Sequence, residues 1–123
     1  MVHLLTDNIL FSSKIAQGLR SGGAEVRVFT DPDALRAAEA DEIPEALLVN
    51  LNARGFSPAD LIRSLKAEGF PAPIVAFCGH SDEATRRSGV DAGADRVLAN
   101  SAITMNALGA LKDAGIDLTN GRT

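Results

Sequence analysis

Five short apolar runs recur along the chain, each followed by a segment long enough for a helix. They are Val2 to Leu5, Val26 to Phe29, Ala46 to Leu51, Ile74 to Phe77, and a weaker fifth from Arg96 to Ala99. The central runs, ALLVNL and IVAF, are almost unbroken by polar residues. A strand with one wet face alternates apolar and polar residues. A continuously apolar strand is therefore one covered on both faces, as in a parallel sheet flanked by helices. Arg27 breaks the second run and points to an edge strand.

The helical segments carry their own start and stop signals. Asp31-Pro32 and Ser57-Pro58 pair a capping oxygen with Pro at the first helical position, and Asp60 adds negative charge to a first turn. Ser81, followed by Asp82 and Glu83, opens the fourth helix, and Ser101 is expected to cap the fifth. Gly22-Gly23, Gly69, Gly93 and Gly115 stand where helices should end. Phe11, Ile15 and Leu19 form a core-facing stripe at helical spacing, as do Leu61 with Leu65 and Leu108 with Leu111. The fold class is α/β: a (βα)5 doubly wound, five-stranded parallel sheet. Right-handed crossovers leave few arrangements, and order 2-1-3-4-5 is the expected one at this length. Residues 1–115 are read as one domain and residues 116–123 as a polar C-terminal tail.

Composition narrows the function classes. The formal net charge is −4 and the basic residues are scattered, so no basic stripe exists for nucleic acid. Cys78 is the single cysteine, which excludes an internal disulfide and agrees with a reducing compartment. The N-terminus lacks a basic region followed by an apolar stretch, and no run is long enough to span a membrane. A cytoplasmic protein without membrane association is expected.

Ligands of a sheet wound this way sit beyond the carboxyl ends of the strands, where strand order reverses. The polar residues there are Thr6, Asp7 and Asn8; Asn50 and Asn52; Cys78 and Gly79; and Asn100 and Ser101. They form the default site.

Four segments around these positions, VHLLTDN, ALLVNLNARG, PAPIVAFCGHSD and DAGADRVLANS, resemble the receiver family of bacterial response regulators. The resemblance runs from about Val2 to Leu111 and implies the flavodoxin-like, CheY-like fold. Receivers carry an acid pair after strand one, a phospho-accepting Asp after strand three, a Thr or Ser after strand four and a Lys-Pro after strand five. The resemblance puts Thr6-Asp7, Asn50, Cys78 and Asn100-Ser101 at those places, and Val97 at the aromatic switch position. An amide is a poor nucleophile where phosphoryl transfer needs a carboxylate. Mg²⁺ is held by carboxylate oxygens, and Asp7 alone remains. Asn100 supplies no charge, and Cys78 is a weak hydrogen-bond donor. The resemblance therefore implies a pseudo-receiver: a phosphorylation-independent interaction or scaffold module with no cofactor, no metal and no enzymatic activity.

Other readings stand beside it. One is a conventional receiver with unusual acceptor usage. Another is a small α/β ligand binder or enzyme using Cys78, His80 and Asp7, although the Cys78–His80 pair falls short of the three or four ligands of a zinc site. Asn50 and Asn100 are expected to bond each other, backbone or water. His3 is read as a satisfied core or edge histidine. Arg86 and Arg87 are expected to pair with Asp82 and Glu83 at i, i+4 spacing on a solvated face. In receivers the fourth helix, fifth strand and fifth helix dock partners or a second copy. That makes Arg86, Arg87, Val97 and Met105 the candidate interaction face.

Overall fold

The computed structural model describes residues 1–118. Its elements follow the expected alternation: β1 (Val2–Leu5), α1 (Ile9–Ser21), β2 (Val26–Phe29), α2 (Pro32–Asp41), β3 (Ala46–Asn50), α3 (Pro58–Ala67), β4 (Ile74–Cys78), α4 (Glu83–Ala92) and β5 (Arg96–Ala99). Two short helices close the chain, α5 (Asn100–Met105) and α6 (Ala107–Asp113). All strand pairs are parallel, in the order β2-β1-β3-β4-β5.

The apolar runs are continuous because both sheet faces are covered. Leu48, Val75 and Phe77 point to one side, where they meet Ile15 and Leu19 of α1, Ile103 of α5 and Leu111 of α6. Leu47, Val49, Ile74 and Ala76 point to the other and meet Leu35, Ile62 and Leu65 of α2 and α3. Each fully buried large side chain contributes about 1.5–3 kcal/mol of transfer free energy. The edge strand β2 leaves Arg27 exposed. No described helix is long and apolar enough to cross a membrane.

The helix signals were read correctly with four exceptions. Asp31 and Ser57 cap α2 and α3 ahead of their prolines. Gly93 ends α4 in the left-handed region at φ 105°, a conformation open to glycine without a β-carbon clash. The cap of α4, however, is Asp82 rather than Ser81. Ser101 caps nothing: β5 runs directly into α5, so Ser101 already lies inside the helix and no side chain caps its start. The expected fifth helix is broken at Asn106, whose Oδ1 accepts from Gly109 N (3.0 Å) and starts α6. The expected Glu83–Arg87 pair does not form, and the Asp82–Arg86 pair is replaced: Arg86 donates to the Val97 carbonyl (3.1 Å), and Asp82 is occupied by Thr85 and Asn52. Packing also continues past Gly115, because Ile116 and Leu118 rest on the α1-side core. Residues 119–123 of the expected tail lie outside the described residues.

The strand alternation has one chemical consequence away from the strand ends. His3 shares its face of β1 with Leu5 and is wholly buried against α2, where its Nδ1 lies 3.2 Å from Glu39 Oε2. Neither His3 Nε2 nor Glu39 Oε1 has a partner, so the histidine is only half satisfied. Burial pushes the Glu39 carboxyl up to about 7, against the pull of Arg36. Burial, with Arg27 nearby, holds His3 below its ordinary value. Neutral forms of both are thus favoured, with the Glu39 hydroxyl donating to His3 Nδ1.

The two shifts act oppositely on stability. The raised Glu39 adds stability that is fully present below its ordinary value and is lost as pH rises through about 7. The lowered His3 adds stability that is present above its ordinary value of 6.5 and is lost as pH falls below it. Above pH 6.5 the Glu39 loss is the larger effect, offset in part by the end of the His3 gain. Wild-type protein should lose roughly 0.5 kcal/mol between about pH 6.5 and 8. Glu39→Gln, whose amide can still donate to His3, should flatten that slope in chemical denaturation. A variant profile parallel to wild type would show that Glu39 does not titrate there.

Candidate functional site

The carboxyl ends of β1, β3 and β4 hold a hydrogen-bonded network built around two buried side chains. Thr6 directly follows β1 and Asn50 ends β3, and both are almost fully buried. Asn50 Nδ2 donates to Thr6 Oγ1 (2.9 Å), which also accepts from Asn8 N (3.0 Å). Asn50 Oδ1 accepts from Asn52 N (2.9 Å). Both ends of the amide are thereby used, as a buried polar group requires. Asn50 bonds a hydroxyl and the backbone, and makes no hydrogen bond to Asn100.

Asn52 carries the network outward. Its Oδ1 accepts from Gly79 N (3.1 Å) after β4, and its Nδ2 donates to Asp82 Oδ2 (3.2 Å) at the cap of α4. Asp7 serves another loop: its Oδ2 accepts from both Arg54 N and Gly55 N (2.9 Å each). Those two bonds, Gly55 first, hold its carboxyl below the ordinary range. Asp7 is therefore an anion already engaged by backbone.

The five expected pocket residues do not line one cavity. Asp7 and Asn50 border a space of about 390 Å³ with Asn8, Ile9, Phe11, Asn52 and Arg54. Cys78 borders a second of about 300 Å³ with Gly79, His80, Glu83, Arg86, Leu98 and Ala99. Burial, and then Asp82, push the Cys78 thiol up, away from the thiolate a nucleophile needs. Asn100 begins α5 with its Oδ1 buried and without a partner.

The residues present do not fit a divalent cation. Asp7 is the one carboxylate at the Asn50 cavity, and the Asn50 oxygen already accepts from Asn52 N. Among the described residues, no three His, Cys, Asp or Glu side chains gather as a metal-ion set.

On the expected interaction face, Arg86, Arg87 and Met105 are exposed, Met105 by 85 %. Val97 is half-buried and packs on the α2-side core. The roles of Asn52 and Leu51 were not read from the sequence. The Asn-Leu-Asn spacing was the available signal, since residues two apart at a strand end share a face.

No family model matches the chain. It is 30% identical over 95 residues to the response regulator protein PmrA of Pseudomonas aeruginosa, covering 77% of this chain and 43% of that protein. It thus spans less than half of the length of that curated relative. A response regulator of Burkholderia pseudomallei, solved with a phosphorylated aspartic acid, calcium ion and citrate, is 30% identical, with TM-score 0.76 over 93% of this chain and 68% of that one. The receiver domain of the response regulator NarL from Mycobacterium tuberculosis shares the fold, with TM-score 0.77 at 19% identity over 93% of this chain and 94% of its own.

Asn50→Asp tests the neutral site. Thr6 can turn its hydroxyl to donate to the introduced carboxylate, so the hydrogen bonds survive and the cost is that of a buried charge close to Asp7. The variant should lose about 1–3 kcal/mol in metal-free buffer at pH 7.5, seen as a melting temperature roughly 3–15 °C lower. Burial raises the introduced carboxyl, so its stability deficit should shrink as pH falls. An unchanged or higher melting temperature at pH 7.5 would contradict this account.

Proposed function

Because the chain belongs to the receiver domains of response regulators, we propose that it acts as a pseudo-receiver, a phosphorylation-independent module that binds a protein partner or a second copy of itself. Asn50 carries this reading. The Burkholderia regulator holds a phosphorylated aspartic acid and a calcium ion. At the position that the resemblance gives to the phospho-acceptor, this chain has a buried neutral amide with both ends bonded internally. An amide offers no anionic oxygen to attack phosphorus.

The neighbouring positions support the same reading. Asp7 is the one carboxylate beside Asn50, and backbone N–H groups engage it. Asn100 brings no cation to the site. Cys78 replaces the hydroxyl with a buried thiol whose raised pKa also weakens the alternative of a thiol enzyme using His80. The output of such a module is binding. Its docking face is α4, β5 and α5, where Arg86, Arg87 and Met105 face solvent and Val97 supports them from below.

Amide NMR spectra recorded while adding Mg²⁺ and then beryllofluoride, which mimics an acyl phosphate, test this directly. The expected result is no saturable shift at Asp7, Asn50 or their neighbours. Saturable shifts centred there would establish a conventional receiver site and remove the proposal.

A further inference from the structure

We propose that Asn52 and Leu51 form a clamp that fixes α4 from the carboxyl end of β3, so that the α4 face is held in one arrangement without any ligand. Asn52 is the positioning residue.

Helix α4 needs such a clamp because its own packing is thin. Of its ten residues, Gly89 and Ala92 alone are buried. The segment after β3 reaches it at two points. The polar tie is Asn52, which accepts from Gly79 N (3.1 Å) and donates to Asp82 Oδ2 (3.2 Å). Asp82 is also the α4 cap, since its Oδ1 accepts from Thr85 N (3.2 Å). One carboxylate therefore joins the clamp to the first turn of the helix. The apolar tie is the next-door residue Leu51, itself buried. Gly89 lies so close above it that a β-carbon there would stand 2.6 Å from Leu51 Cδ1 and 3.4 Å from Val97 Cγ2.

The clamp is itself anchored. Asn52 N donates to Asn50 Oδ1 (2.9 Å), and Asn50 Nδ2 donates to Thr6 Oγ1 (2.9 Å). Hydrogen bonds thus run without a gap from the start of α1 to the start of α4. Two separated ties, one at the cap and one at the end of the second turn, set both the position and the tilt of the helix. The clamp deepens the phosphorylation-independent reading and rests on it in taking α4 as part of the docking face.

Amide hydrogen exchange of the full chain, followed by NMR, tests the clamp in Asn52→Ala and Asn52→Asp. Asn52 is exposed, so both variants should fold. The alanine removes both polar contacts and leaves the Asp82 cap in place. The aspartate keeps an acceptor for Gly79 N but sets a carboxylate against Asp82. Amides from Arg86 to Val90 should exchange about five- to tenfold faster in Asn52→Ala, the scale of one or two lost hydrogen bonds, and faster again in Asn52→Asp. Strand amides of β1 and β3 should not change. Exchange in α4 within about twofold of wild type in both variants would overturn the clamp. The beryllofluoride result is independent. Saturable shifts in the wild type with fast α4 exchange in the variants would keep the clamp and remove the phosphorylation-independent reading. The opposite pair of results would do the reverse.

Discussion

A primary amide sealed at the end of a buried strand must find partners for both its nitrogen and its oxygen inside the protein, since leaving either unmet costs about 1–3 kcal/mol. Asn50 is in that position, and its answer organises the surrounding loops. The nitrogen takes the Thr6 hydroxyl and the oxygen takes Asn52 N. Thr6, fixed in this way, accepts from Asn8 N at the start of α1. Asn52, turned by the same bond, faces Gly79 and Asp82. Three loops that the topology merely brings near one another are thus tied by a single buried side chain.

The helices depend on these ties unequally. Helix α1 buries Ser12, Ile15, Ala16 and Leu19, and α3 buries Leu61, Ile62 and Leu65, so hydrophobic contact is their main hold on the sheet. Helix α4 offers a glycine and an alanine, which allow close approach but little apolar area. Its hold on the molecule shifts to hydrogen bonds at its cap and to the Gly89–Leu51 contact. A helix held by its cap and by one close backbone approach leaves its outer surface free.

The fold was legible in the sequence because its signals were redundant: apolar runs, proline-marked starts and glycine stops all described the same alternation. Where a single signal stood alone, it failed. Ser101 looked like a cap, yet β5 enters α5 without a linker in which a cap could sit. The break at Asn106 comes from one side chain bonding Gly109 N, a local choice that apolar spacing does not register. The Asp82–Arg86 pair failed because the backbone carbonyl of Val97 took the guanidinium and the cap of α4 took the carboxylate. At the site, the residue types were readable but their partners were not. Asn50 and Asn100 look alike in sequence, and only the first has its amide satisfied, because strand pairing sets it beside Thr6.

Charge is distributed so that the carboxyl ends of β1 and β3 are satisfied from within the chain. Thr6 and Asn50, the groups sealed within it, are neutral, and the two carboxylates nearby sit at the rim with backbone N–H donors supplied by their own chain. Asp7 takes Arg54 and Gly55, and Asp82 takes Thr85. Both carboxyls are held below the ordinary range, Asp7 by the Gly55 and Arg54 N–H groups and Asp82 first by the Thr85 side chain and then by its N–H, so both stay ionised without a cation beside them. A cluster of facing carboxylates would repel until a metal ion or a proton arrived, and the loops carrying it would respond to that arrival. Thr6 and Asn50 are neutral and hydrogen-bonded to each other, so the inner positions carry no such repulsion. On the proposed phosphorylation-independent reading, the hydrogen bonds that occupy the Asn50 amide are also the ones that lead through Asn52 to the cap of α4, so one neutral network serves both the closed site and the docking face.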